Sequence, residues 1–243
     1  MSIDTPSRSA AAFFDSIAGR YERCYCLETG ESRRRMAWVL SVLPPPPLRL
    51  LDLGVGTGRE IPFLLDGGHQ VTGLDASTAM LERCARRARP VPLVHADFWE
   101  SLPFEDASFD AAIALHGTLA HAPDEGDLGR LSAELARITV AGAVWVTEIP
   151  SPAWLDRIGC GVASEGCVVR RTGTQTCVYE DSVTSTSIEV RLPAEQEWRA
   201  ALAPQWDVEI AGMGLDPFEG NRTAAGEDLL SDHVEWRVVA RRR

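Results

Sequence analysis

The residues whose types and spacing most clearly suit ligand binding form a glycine-rich turn, Asp52-Leu53-Gly54-Val55-Gly56-Thr57-Gly58. The apolar segment 48–53 predicts a short buried strand that runs into the turn, and a helix is predicted over 57–65. Glycine is needed where the backbone turns sharply or lies against a ligand, and the first turn of a helix offers unpaired N–H groups. The pattern predicts a ligand-binding loop, with a purely structural turn as the alternative.

Two carboxylates follow the next two predicted strands at the same relative position. Asp75 ends the strand predicted over 70–74, and Asp97 lies just beyond the strand predicted over 91–95. A carboxylate can accept hydrogen bonds from both hydroxyls of a ribose or from an exocyclic amine, and Phe98 can pack against a flat base. Because ligands bind at the carboxyl ends of strands in open α/β sheets, these residues indicate one shared site with the glycine turn. Alternatively, Asp75 caps the following helix and Asp97 is an ordinary loop residue.

Composition excludes several kinds of chemistry. All 24 basic residues among the 243 are arginines, and a chain without lysine cannot use Schiff-base or pyridoxal phosphate catalysis or form a Walker phosphate loop. A net charge of −11 disfavours nucleic-acid and anionic-membrane partners, which require a basic surface. The six cysteines have no zinc-ligand spacing, so no metal site is predicted. Since no membrane span or signal-peptide layout is evident, we expect a cytoplasmic protein.

The chain around these residues falls into three parts. Residues 1–43 carry apolar side chains at helical spacing and predict an N-terminal helical cap, which the four prolines of 44–47 end. Strands and helices then alternate up to a fifth strand over 143–149, which predicts a mostly parallel α/β sheet with helices on both faces. The stretch of about 160–190 predicts antiparallel strands inserted after the fifth strand, followed by a short helix and two more strands.

In these motifs the chain resembles the class I S-adenosylmethionine-dependent methyltransferases. The matching segments are LDLGVGTGRE, VTGLDASTAML, HADFWESLPFEDASFDAAIALHGTLAH and ELARITVAGAVWV, and the similarity covers roughly residues 10–150. The run from Leu102 to Asp110 is especially similar to the small-molecule group that includes the ubiquinone and menaquinone methyltransferases. The resemblance implies a seven-stranded Rossmann-like domain over 48–243. It also implies methyl transfer from S-adenosyl-L-methionine, with S-adenosylhomocysteine as the product.

The resemblance also implies roles for individual residues. The glycines of the turn would line the methionine part of the cofactor, Asp75 would hold the ribose, and Asp97 would accept from the adenine amine. Tyr21 ends a Phe-Asp-x-x-Ala-x-x-Tyr segment similar to the family's lid helix, and we expect it to close over the cofactor carboxylate. The implied cofactor-binding set is Tyr21, Asp52, Gly54, Gly56, Gly58, Asp75, Ala76, Met80, Asp97, Phe98 and Leu115.

Two histidines follow the fourth predicted strand. His116, which the resemblance places near the transferable methyl group, is the first candidate for a base that deprotonates a hydroxyl acceptor, and His121 is the second. The family often has paired histidines here, whereas this chain has His116-Gly117, and a helix-cap or core role is the alternative for each histidine. An amine or enolate acceptor needs no base, so O-, N- and C-methylation stay open. We expect a small-molecule methyl acceptor and a monomer or homodimer.

Other functions fit the sequence less well. An NAD-dependent oxidoreductase is disfavoured by the G-x-G-x-G spacing and by Arg59, which stands at the final position of the dinucleotide fingerprint. A nucleic-acid methyltransferase is disfavoured by the acidic charge. A cofactor-binding regulatory or scaffold protein without turnover remains the non-enzymatic alternative.

Overall fold

The computed structural model describes residues 10–24, 29–87, 89–122, 126–158, 166–213 and 235–243. Its N-terminal part consists of helices α1 (Ala10–Ile17), α2 (Tyr21–Cys24) and α3 (Thr29–Val42). The buried side chains of Phe13 and Ile17 lie on one face of α1 because they are four positions apart. Residues 1–9 of the predicted cap lie outside the described residues.

A seven-stranded sheet forms the centre of the molecule. Its strands are β1 (Arg49–Leu53), β2 (Gln70–Asp75), β3 (Leu93–His95), β4 (Phe109–Ala114), β5 (Thr139–Pro150), β9 (Trp206–Met213) and β10 (Glu235–Arg242). Their order across the sheet is β3-β2-β1-β4-β5-β10-β9. The helices between them are α4 (Ile61–Asp66), α5 (Thr78–Arg87), α6 (Asp127–Ile138), α7 (Pro152–Ile158) and α8 (Glu195–Leu202), with a short 3₁₀ helix at Thr118–His121.

The first five strands are parallel, and β10 runs antiparallel to both β5 and β9. Leu50 of β1 pairs with Val71 on one side and with Ala111 on the other. The chain therefore moves outward through β2 and β3 and then returns to the other side of β1. This reversal of strand order opens a crevice beyond the carboxyl ends of β1 and β4, where ligands bind in such sheets.

Apolar side chains alternate between the two faces of the sheet. In β1, Leu50 belongs to the core cluster on one face and Leu51 to the cluster on the other. Likewise, Val144 and Trp145 of β5 enter opposite clusters, so both of these central strands are buried on both sides. The predicted mostly parallel Rossmann-like sheet with helices on both faces is confirmed.

A separate three-stranded antiparallel sheet follows β5 and α7. Its strands are β6 (Cys167–Arg171), β7 (Thr176–Asp181) and β8 (Thr186–Arg191), in that order. Ile188 of β8 packs with Phe13 and Ile17 of α1 in a small cluster of its own. The predicted antiparallel insertion is confirmed, and residues 160–165 at its start lie outside the described residues.

Two local predictions differ from the structure. The predicted helix over 57–65 is wrong in its first turn, because residues 55–60 continue the glycine turn and α4 begins only at Ile61. Pro62 lies in the first turn of α4, where its missing N–H costs nothing. Helix α7 was not predicted, since its short sequence has no clear amphipathic period. No helix within the described part of the chain is long and apolar enough to cross a membrane.

Candidate functional site

The glycine turn leaves β1 in a left-handed conformation that favours glycine. Gly54, Gly56 and Gly58 have φ angles of +66°, +51° and +75°. A Cβ on Gly54 would lie 2.5 Å from Cγ2 of Thr118, whereas a Cβ on Gly56 would meet nothing closer than 3.9 Å. Gly58 closes the turn by donating its N–H to the carbonyl of Val55 at 2.9 Å. The turn therefore packs tightly at Gly54 and leaves open space in front of Gly56.

The carboxylate of Asp75 lies beside this turn at the end of β2. Gly56 N–H donates to Oδ2 and Ser77 N–H donates to Oδ1, each at 2.8 Å. Burial raises the pKa of Asp75 above its ordinary value, and these backbone donors oppose that shift. Asp75 therefore joins the glycine turn to the start of α5, as β1 and β2 lie side by side.

The start of α5 also receives a side chain from the N-terminal helix. Ser77 Oγ accepts from Met80 N–H at 3.1 Å, which is the bond of an N-cap residue. The Ser77 hydroxyl donates to Oδ1 of Asp15 at 2.6 Å, and Ala79 N–H donates to the same oxygen at 3.0 Å. Helix α1 is thereby held over the carboxyl end of the sheet.

Asp97 and two aromatic rings follow β3 on the same edge. Asp97 Oδ1 accepts from Trp99 N–H at 3.0 Å, which shapes the turn after the strand. The rings of Phe98 and Trp99 lie 4.9 Å apart and tilted by 52°. Together they provide an apolar wall next to a carboxylate.

These elements enclose a cavity of about 640 Å³, including its open mouth. Ten of the predicted site residues line it, and they are Tyr21, Gly54, Gly56, Asp75, Ala76, Met80, Asp97, Phe98, His116 and His121. Its lining also includes residues that were not predicted, namely Ala10, Ala11, Phe14, Trp99 and Thr118. Residues from four strand ends and the N-terminal helix thus meet in one place.

A smaller cavity of about 330 Å³ continues from the first along the glycine turn. Asp52 and Leu115, the two other predicted residues at this edge, line it, whereas Gly58 lines neither cavity. Oδ2 of Asp52 is buried without a hydrogen-bond partner. Burial and the nearby charges of Glu60 and Asp75 raise the pKa of Asp52 well above its ordinary value.

Tyr21 and Arg59 form the outer wall of the smaller cavity. The Arg59 guanidinium lies 5.1 Å from the centre of the Tyr21 ring, a cation–π distance. Arg59 also pairs with Glu22 at 3.1 Å, and the Thr57 hydroxyl donates to Glu22 at 2.5 Å. Burial raises the pKa of Tyr21 to about 12, although Arg59 opposes the shift, so the hydroxyl is neutral at physiological pH. Arg59, which is inconsistent with a dinucleotide fingerprint, therefore has a defined place beside the predicted lid tyrosine.

His116 is held by two carboxylates from different elements. Its Nε2 lies 2.6 Å from Oε1 of Glu60, the residue before α4. Its backbone N–H donates to Oε1 of Glu148 in β5 at 3.3 Å, and its φ is +56°. Burial alone would raise the pKa of Glu60, but the charge and hydrogen bond of His116 hold it below the ordinary value.

His121 ends the 3₁₀ helix and has a different environment. Its ring meets the ring of Phe14 edge to face, with centroids 5.1 Å apart. Nδ1 is buried without a hydrogen-bond partner. Burial lowers the pKa of His121 to about 4, so the imidazole is neutral at physiological pH.

Only some of the site residues that were not predicted have a recognisable signal in the sequence. Glu60 stands within the quoted LDLGVGTGRE motif, two positions after the last glycine, but its partner His116 is 56 positions away. Phe14 precedes the predicted lid tyrosine by seven positions, which is the spacing of one helix face. Trp99 and Thr118 had no comparable signal, since Trp99 lies in a loop and Thr118 begins a 3₁₀ helix of four residues, which is too short to show a period.

Comparison with known proteins agrees with this geometry. Residues 50–142 match the family described as Methyltransferase domain. The chain is 33% identical over 155 residues to a demethylmenaquinone methyltransferase of Beutenbergia cavernae, covering 63% of this chain and 62% of that relative.

Two solved structures share the fold at low sequence identity. The CcbJ methyltransferase of Streptomyces caelestis superimposes with a TM-score of 0.72 at 18% identity, covering 96% of this chain and 99% of that one. CalS10, an amino pentose methyltransferase of Micromonospora echinaspora solved with S-adenosylmethionine bound, gives 0.63 at 19% identity, covering 93% and 97%. Residues 50–142 of the chain therefore match a methyltransferase domain, and the chain as a whole shares its fold with solved methyltransferases, one of them with S-adenosylmethionine bound.

Proposed function

We propose that this protein transfers a methyl group from S-adenosyl-L-methionine to a small molecule. The observation that carries the proposal is the single cavity in which the glycine turn, Asp75 and Asp97 meet, extended by the smaller cavity beside Asp52. This arrangement offers separate groups for a ribose, a base and an amino-acid tail along one continuous path.

The residues present fit that cofactor. Each oxygen of Asp75 accepts one backbone N–H and keeps further lone-pair capacity, as two adjacent ribose hydroxyls require. Phe98 and Met80 offer apolar surface to a base, and Asp97 offers an acceptor to its amine. The open space in front of Gly56 allows close approach of a ligand. The buried Oδ2 of Asp52 has no hydrogen-bond partner, and a ligand can supply one.

The chemistry asks little of the protein beyond alignment. When bound, the cofactor supplies a methyl group already activated by its sulfonium charge. Tyr21 and Phe14 cover the cavity from the N-terminal side, which excludes water from the reacting groups. His116 and His121 lie at its far wall and are the candidates for accepting a proton from a hydroxyl acceptor.

The proposal specifies the methyl acceptor only as a chemical class, a small molecule. The matched relative is named for a demethylated menaquinone, and a structural neighbour is named for an amino pentose, both of them small molecules. O-, N- and C-acceptors are all compatible with the site. The proposal includes an N-terminal cap over 1–43, a methyltransferase domain over 48–243, a cytoplasmic location and a monomer or homodimer.

Calorimetry with S-adenosylhomocysteine and with NADH tests the cofactor. We expect binding of the first and none of the second, and the reverse result would favour an oxidoreductase. Incubation with labelled S-adenosylmethionine and a panel of phenol, amine and enolate acceptors then tests turnover. Tight cofactor binding without methyl transfer to any acceptor of the panel, or to any compound of a metabolite extract, would favour the regulatory alternative.

A further inference from the structure

We propose that Glu60 is a positioning residue that fixes the ring of His116, so that Nδ1 of His116 is the atom that takes a proton from a hydroxyl acceptor. This inference rests on the proposed function and assigns its base. It gives His116 and His121 different roles, although both line the larger cavity.

The side-chain contact decides which ring nitrogen carries the proton. Glu60 Oε1 and His116 Nε2 are 2.6 Å apart, and the side chain of Glu60 is only 8% exposed. An ionised carboxylate can only accept hydrogen bonds, so Nε2 must be the donor. When the imidazole is neutral it carries one N–H, and Nδ1 is then left as the acceptor.

The backbone of His116 is fixed as firmly as its ring. A φ of +56° is uncommon for a residue with a side chain, and Gly117 follows with +71°. Glu148 receives both N–H groups: that of His116 on its carboxylate at 3.3 Å, and that of Gly117 on its carbonyl at 3.3 Å. Glu148 is itself buried and ion-paired with Arg35 of α3. A strained conformation that the surroundings hold in this way is typical of a residue placed for chemistry.

The ionisable groups around His116 come from several elements. Glu60 lies before α4, Asp52 in β1 and Tyr21 in α2. Glu148 of β5 accepts from the backbone of His116 and has Arg35 behind it. Arg59 lies across the cavity. Among these, Glu60 is the group in direct contact with the ring, so it dominates the stabilisation of a positive charge on His116.

His121 is less suited to the same task. Its Nδ1 is buried, and the ring of Phe14 covers it. By contrast, His116 lines both cavities, whereas His121 lines the larger one alone. We infer that His121 shapes the wall of the cavity and that His116 reaches the acceptor.

The proton balance of the step follows from this assignment. The O–H proton of the acceptor passes to Nδ1 of His116 as the new bond between oxygen and methyl carbon forms. The bond between sulfur and methyl carbon breaks, and its electron pair stays on sulfur. The imidazolium that results is balanced by the Glu60 carboxylate and later returns its extra proton to solvent.

Long-range ¹H–¹⁵N spectra of the full chain labelled at histidine test the assignment, with His116→Gln used to identify the His116 signals. In the wild type, at a pH where the ring is neutral, we expect a protonated Nε2 and a bare Nδ1. In Glu60→Gln, whose side-chain amide can donate as well as accept, Nε2 should no longer be the only protonated ring nitrogen, and the two tautomers should mix. Glu82→Gln, an exposed carboxylate of α5, is the matched control and should leave the tautomer unchanged.

Two results would overturn the inference. One is a wild-type ring protonated on Nδ1, which needs no variant to observe. The other is a His116 ring that stays wholly protonated on Nε2 in Glu60→Gln; if that variant does not fold, Glu60→Asp, which keeps the charge, must retain the wild-type tautomer. Failure of the proposed function has a different signature, since the wild type would then not bind S-adenosylhomocysteine in calorimetry, whatever its tautomer.

Discussion

Nη1 of Arg20, just after α1, lies 2.7 Å from both carboxylate oxygens of Asp181, which is 161 positions further along the chain at the end of β7. The pair is buried, with side-chain exposures of 12% and 2%. On its other side, α1 reaches the start of α5 through Asp15 and Ser77. Helix α1 therefore bridges the antiparallel sheet and the cofactor side of the cavity.

Removing Arg20 should destabilise the protein and loosen this bridge. Breaking a buried ion pair on one side costs about 3 kcal/mol, and Arg20→Ala should fall at the low end because Asp181 keeps the N–H groups of Val183 and Thr184. Urea unfolding of Arg20→Ala measures the cost, with the exposed Arg86→Ala as control. Equal unfolding midpoints for the two variants would mean that the Arg20–Asp181 pair contributes nothing.

Alanine substitutions at Gly54 and Gly142 distinguish the effect of backbone strain from a role in ligand binding. Both have positive φ, +66° and +80°, so the backbone strain of alanine should cost about 1–2 kcal/mol of stability at either position, and the clash with Thr118 adds to the cost at Gly54. Only at Gly54 would the new Cβ meet Thr118, since nothing lies within 4 Å of a Cβ on Gly142. Calorimetry should therefore show weakened S-adenosylhomocysteine binding for Gly54→Ala and wild-type binding for Gly142→Ala. Similar affinities in both variants would contradict a binding role for the glycine turn.

Substitution of Asp75 should mainly affect cofactor binding, and substitution of His116 should mainly affect methyl transfer. Asp75→Ala removes the acceptor beside Gly56 and Ser77, and it should weaken cofactor binding at least tenfold, or about 1.4 kcal/mol. His116→Ala should weaken binding much less and act mainly on methyl transfer. Asp207→Ala, an exposed residue of β9, is the control for binding. Equal losses of affinity at Asp75 and His116 would exclude the assigned roles.

His121 should make the stability of the protein sensitive to acid. The folded state holds its pKa near 4, below the ordinary 6.5, so between these values the unfolded state binds the additional proton. The free energy of unfolding should therefore fall as the pH drops from about 6.5 to about 4, by about 2 kcal/mol from this residue. Neither His121→Asn nor His121→Phe can take up this proton, and denaturant unfolding over that range should show a smaller decrease for both. If both variants keep the full wild-type decrease, the pH dependence has another source.

The sequence predicted the parts of this protein that local patterns encode. Alternating apolar strands and amphipathic helices predicted a parallel sheet, because such strands can be connected only through crossovers. The glycine turn and Asp75 were predicted to share a site, since the carboxyl ends of neighbouring strands meet at one edge. The helix predicted over 57–65 was wrong at its start, because local propensity does not show where a glycine turn ends.

Contacts between distant residues were decided by tertiary structure alone. Nothing near Glu60 in the sequence indicates that it meets His116, and nothing near Asp15 indicates that it caps α5. Such pairs depend on how the helices dock on the sheet, which is set by packing over the whole core. The sequence by itself therefore determined the fold class and the composition of the binding edge, whereas the tertiary structure decided which side chains hold each other in place there.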